Sequence, residues 1–165
     1  FAGNEKPRDF RVAIPGGEKN KVRQMIFTGF NKCCYPYQKF DSVDGELRLA
    51  QILENDASVV RWMKPRPGQF RIEYTNGRNY EPDFVVEMNN GYCLIEPKKA
   101  NEIDTPEVQA KTRAALRWCE FANQNAAKNG GKVWRYALIP HNEIELSRTV
   151  SGLMADFMMT NSLSA

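Results

Sequence analysis

With 165 residues, 42% of them apolar and 26% charged, the chain has enough material for one domain with a proper core. That composition excludes disordered and disulfide-stapled classes. A net charge of +3 suits a polyanionic partner without requiring one. No apolar run reaches membrane-spanning length, so no membrane partner is expected, and no secretory signal is present. The four cysteines, Cys33, Cys34, Cys93 and Cys119, lack metal-site spacing and fit a reducing cytoplasm. A start at Phe1 in place of Met suits a piece of a longer protein.

Residues 1–39 read as an N-terminal extension or linker packing on the domain, with an entry strand over Phe10–Ile14 and a short basic helix over Lys19–Phe30. Gly16-Gly17-Glu18-Lys19 has the wrong spacing for a Walker phosphate loop. The domain itself spans 40–160. Asp41-Ser42 opens a helix running to about Asn55, with Ser42 as its cap. Glu46 begins the apolar stripe that Leu49, Ala50 and Leu53 continue. Strands follow at Val59–Lys64, Phe70–Tyr74 and, after an Asn76-Gly77 turn, Asn79–Met88. Thr105-Pro106-Glu107 combines a capping residue, proline at the first helical position and an early acid, and predicts a helix to about Lys128, closed by Asn129-Gly130-Gly131. A buried strand over Val133–Ile139 and a terminal amphipathic helix over Leu146–Met159 complete the domain, and 161–165 read as a disordered tail. The lone His141 makes neither a triad nor a zinc site.

The informative stretch is Tyr80–Lys98. Two apolar-rich runs flank Asn90-Gly91, the strongest short signal for a two-residue hairpin turn. That turn sets Asn89 opposite Tyr92, Val85 opposite Glu96 and Asp83 opposite Lys98. Because side chains alternate along strands, Asp83, Glu96 and Lys98 share one face, and Phe84, Val86, Met88, Cys93 and Ile95 share the other as a core face. Any even loop keeps the two acids together; a three-residue loop would separate them. An ordinary solvated hairpin face is the plain alternative. Val85 and Leu94 among the charges indicate a covered face, where charges need partners, a metal or a task. Two carboxylates suit Mg²⁺, which takes one or two and keeps positions for water and phosphate. An adjacent ammonium orients water or offsets phosphoryl charge.

Pro82-Asp83, then after twelve residues Glu96-Pro97-Lys98, resembles the PD-(D/E)xK nuclease signature. Its surroundings resemble the C-terminal endonuclease domain of type III restriction enzyme restriction subunits and related helicase–nuclease proteins, over roughly Phe40 to Pro140. Pro97 between acid and lysine is unusual inside a strand, and it marks where the strand leaves its neighbour. The order of elements implies an α/β sandwich on a mixed sheet, and the resemblance implies a restriction-endonuclease-like αβα sandwich. It further implies Mg²⁺-dependent hydrolysis of double-stranded DNA in a bacterial cytoplasm, with Mn²⁺ able to substitute. Asp83 and Glu96, joined by Glu46 from the preceding helix, would bind the metal, and Lys98 would complete the catalytic set. Gln109, Lys111, Lys99 and Arg78 are the candidate DNA contacts, although a solvated helix or sheet face is the default reading for Gln109, Lys111 and Arg78. A helicase/ATPase motor region, the sole reason for ATP, and a modification subunit are implied partners outside this chain. Two alternatives stay open: a non-catalytic nuclease-fold module for DNA binding or motor docking, and a Mg²⁺-dependent RNA or nucleotide hydrolase.

Overall fold

A computed structural model of the chain describes residues 6–160, so the expected tail at 161–165 lies outside the described residues. Two short strands, β1 (Arg8–Asp9) and β2 (Phe27–Thr28), pair in parallel. The helix expected over Lys19–Phe30 is instead a 3₁₀ segment, Gly16–Gln24, followed by β2. Four of its residues explain the change. Val22 and the consecutive Met25, Ile26 and Phe27 are all buried, which no single helix face can achieve. The entry strand is likewise shorter and earlier than expected, because the Arg11 amide and guanidinium both bond the Asp9 carboxylate and turn the chain. Phe10, Val22, Met25 and Phe27 share a core with the rest of the domain.

The next helix begins at Ser42, whose hydroxyl accepts from the Glu46 amide. Its first turn, Val43–Leu47, is wound wide, with the Leu47 amide donating to the Ser42 carbonyl, before α1 (Arg48–Asn55) continues in regular form. Leu49, Ala50 and Leu53 are fully buried, as the stripe predicts.

After β3 (Val59–Met63), the chain forms β4 (Ile72–Thr75) and β5 (Arg78–Tyr80), a separate two-stranded hairpin. Asn76 and Gly77 take positive φ, 29° and 82°, as an Asn-Gly hairpin turn requires. The continuous strand expected over Asn79–Met88 is broken at Glu81–Asp83, where Pro82 cannot donate to a ladder, so β6 starts at Phe84 and ends at Met88. With β7 (Gly91–Lys98) and β8 (Val133–Pro140), the main sheet has the order β3-β6-β7-β8. It is mixed: β3, β6 and β7 are antiparallel, and β7 and β8 are parallel. The crossover between β7 and β8 is α2 (Pro106–Asn129), capped by Thr105 and closed by Gly130 at φ 75°.

The register of the β6–β7 hairpin is two residues away from the expected one. Met88 pairs Gly91 and Phe84 pairs Ile95, so Asn89-Asn90 form the turn. Gly91 belongs to β7, where a Cβ would lie 2.7 Å from the Val133 carbonyl oxygen. Close approach of β8, not turn conformation, requires this glycine. The loop remains even, so face assignments are unchanged, but Val85 now opposes Leu94 in place of Glu96. Pairing with β6 ends at Ile95 while pairing with β8 runs to Lys98, which leaves Pro97 beyond the last antiparallel pair.

Both sheet faces are covered. Phe84, Val86, Met88, Cys93 and Ile95 pack with α1 and with α3 (Val150–Phe157), which is shorter than the expected terminal helix because Thr149 caps it. Leu94, Tyr136 and Leu138 pack against Val108, Ala115 and Cys119 of α2, with Ile72 of the β4–β5 hairpin. No helix among the described residues is long and apolar enough to cross a membrane.

Candidate functional site

The end of the hairpin opposite its turn carries the charges. Asp83 immediately precedes β6, Glu96 and Lys98 close β7, and Glu46 comes from the wide first turn before α1. The Asp83 amide donates to Glu96 Oε1 at 3.2 Å, which places the two acids side by side. Asp83, Glu96 and Lys98 line a narrow cavity of about 70 Å³ with Tyr80, Lys111 and Tyr136. On its other side, Asp83 and Lys98 also line a wider cavity of about 190 Å³ with Glu46, Lys99 and His141. All four expected catalytic residues therefore converge on two hollows that share Asp83 and Lys98.

Glu96 is 6% exposed. Burial, the Asp83 charge and a hydrogen bond with the Asp83 side chain push its carboxyl well above the usual range, against smaller opposing pulls from the Asp83 backbone amide and then Lys98. A buried carboxyl held beside a second carboxyl is costly to ionise without a positive partner. Glu46 is 5% exposed. Burial raises its carboxyl too, but the Lys64 ammonium, in direct contact with Oε1, pulls the other way. The Asp41 amide donates to the same oxygen at 3.0 Å. Burial also raises the Tyr80 and Tyr136 hydroxyls, which stay protonated, and lowers His141, which favours its neutral ring.

Among the expected DNA contacts, Lys99 lines the wider cavity and Lys111 the narrow one. Lys111 is held 5.2 Å over the Tyr74 ring and 3.6 Å from Glu107. Gln109 is occupied locally, its amide donating to the Ile103 carbonyl at 2.8 Å. Arg78, on the exposed β4–β5 hairpin, lines neither hollow.

Sequence reasoning passed over Lys64, Tyr80, Tyr136 and His141 as site residues. Lys64 follows Met63, which pairs with Val85, so strand register delivers it beside Phe84 and one step from Asp83. His141 fits because Gly45 has no side chain; a Cβ there would fall 2.3 Å from Nε2.

Among the described residues, no group of three or more His, Cys, Asp and Glu is arranged to hold a metal ion. Asp83 and Glu96 alone would fit the sparse carboxylate ligation of Mg²⁺ and not a closed structural site. No family model, curated protein or solved structure matches the chain.

Proposed function

We propose that the chain is a metal-dependent endonuclease of the PD-(D/E)xK superfamily, with a restriction-endonuclease-like αβα sandwich. It hydrolyses DNA phosphodiester bonds as the nuclease part of a type III restriction-like helicase–nuclease. The observation carrying this reading is that Asp83 and Glu96 line one hollow with Lys98, where the Asp83 backbone amide donates to Glu96 Oε1 at 3.2 Å. An acid pair beside an ammonium has no structural task that apolar residues would not perform better.

Asp83 and Glu96 would present carboxylate oxygens to a divalent ion once the buried Glu96 carboxyl is ionised. Such an ion, when bound, supplies Lewis-acid polarisation of a phosphoryl oxygen and a water of lowered pKa. The Lys98 ammonium orients the attacking water and offsets charge growing on the phosphoryl oxygens. Lys111 and Lys99, one at each hollow, supply cations for the flanking phosphates. Tyr80, Tyr136 and Leu138 wall the narrow hollow and limit water there.

The decisive assay is cleavage of duplex DNA with and without Mg²⁺ by wild type and by Asp83→Asn. The expected loss is about 10²- to 10³-fold or more, the scale of removing one element of transition-state stabilisation, with the circular dichroism spectrum retained. Cleavage unchanged by the substitution overturns the assignment. Duplex bound but left uncut by wild type in Mg²⁺ points instead to the non-catalytic module.

A further inference from the structure

The three acids at this site do not have equal neighbours. Lys64 Nζ contacts Glu46 Oε1, and the lysine side chain is 16% exposed. It lies 5.2 Å from the Phe84 ring centroid and 5.7 Å from that of Phe40, two aromatic faces that hold an ammonium in place. The backbone fixes the pair from both ends: β3 pairing with β6 delivers Lys64, and the Ser42 cap with the wide turn delivers Glu46. At the other two acids, by contrast, the Asp83 backbone amide donates to Glu96 Oε1 at 3.2 Å, and Lys98 lines the hollow they share.

We propose that Lys64 is a built-in cation that withdraws Glu46 from metal ligation, so that the site binds one divalent ion, at Asp83 and Glu96, and not two. This rests on the metal-dependent reading above and narrows its ligand set, since the sequence expectation gave Glu46 to the metal.

Charge supports a single ion. Glu46, Asp83 and Glu96 carry three negative charges when ionised, and Lys64 and Lys98 carry two positive ones, a formal balance of minus one. One divalent ion brings the site to plus one, which a phosphodiester's single negative charge then neutralises. A second ion would leave a buried excess of three positive charges beside a fixed ammonium, a state that low dielectric penalises heavily. Lys64 thus does at Glu46 what a second metal would do, without having to be captured from solution. Its role is positional: it touches Glu46 and not the reacting atoms.

The test counts Mn²⁺ bound per chain by electron paramagnetic resonance and equilibrium dialysis, on the full chain at pH 8 without nucleic acid. Wild type binds one ion, and Asp83→Asn loses it. Glu46→Gln still binds one, with affinity within about three-fold, far from the 10- to 100-fold cost of removing a group that supports a metal. Lys64→Ala, which exposes Glu46 to a cation, binds two. A wild-type count of two that falls to one in Glu46→Gln overturns the inference, and so does a Lys64→Ala count that stays at one. Should Lys64→Ala not fold, Glu46→Gln decides alone, because loss of the single wild-type ion in that variant also overturns it. A wild-type chain that binds no Mn²⁺, or binds it equally well without Asp83, overturns the metal-dependent reading itself and is distinguishable from these outcomes.

Discussion

Glu46 and Glu96 are buried to almost the same extent, 5% and 6% exposed, at the same end of the sheet. Burial raises both carboxyls, but their nearest polar partners differ in sign. Glu96 faces another carboxyl and holds a proton well above the normal range. Glu46 is also raised by burial and by the Asp83 charge, but it faces an ammonium and an amide donor that pull the other way. Burial alone does not define a reactive acid; the sign of what lies beside it does.

Removing the ammonium should break this contrast most severely. Lys64→Ala leaves Glu46 buried without its cation, and loss of one partner of a buried pair costs about 3–5 kcal/mol. Urea unfolding without divalent ions should show that loss. The double variant Lys64→Met, Glu46→Leu should recover most of it, because an apolar pair incurs no desolvation of charge. A single variant with wild-type stability would mean the pair contributes nothing.

Neutralising the other glutamate should act in the opposite direction and depend on pH. The folded-state pKa of Glu96 is raised, so the folded chain binds more protons there than the unfolded chain, and stability falls as pH rises above the ordinary glutamate range. Glu96→Gln removes that penalty. The variant should be more stable than wild type without metal at pH 8, by about 1–3 kcal/mol, the scale of a buried polar group left badly paired. Below pH 4 the carboxyl is neutral in both states and the advantage should vanish. Thermal unfolding across pH 4–9 checks this, and a gain that grows toward acid would contradict it.

How much of this contrast can be read without coordinates follows from which contacts are local. Strand parity, which survives a register shift of two residues, aims Asp83 and Glu96 to one face, and the Asp83 amide just ahead of β6 then bonds Glu96 directly. The shift has one cause: Asn90-Gly91 carries a turn signal, whereas Gly91 is required by the close approach of the neighbouring β8. Helix α2 was legible almost to the residue, since Thr105, Pro106 and Gly130 act through adjacent backbone. The N-terminal 3₁₀ segment was misread because tertiary burial of Met25, Ile26 and Phe27 overrode helical periodicity. Lys64 carries no local signal. Its task appears only when β3 is laid against β6 and the helix start folds over both. His141 is similar, because its place depends on the missing side chain of Gly45 from about a hundred residues earlier.

The smallest expected effect tests whether the two glutamates are held independently. Ser42 accepts a hydrogen bond from the Glu46 backbone amide at 3.0 Å, and Ser42→Ala should cost about 1 kcal/mol, the usual value of an N-cap. That cap fixes the turn from which Glu46 reaches Lys64, so Ser42→Ala and Lys64→Ala should be coupled, the double variant losing less than the two single losses combined. Glu96 sits on β7 and makes no bond to Ser42, so Ser42→Ala and Glu96→Gln should add to within about 0.5 kcal/mol. A double-mutant cycle in urea measures both. Equal coupling in the two pairs would mean that the site responds as one unit, and that the difference between its glutamates lies in their charge partners and not in separate mechanical supports.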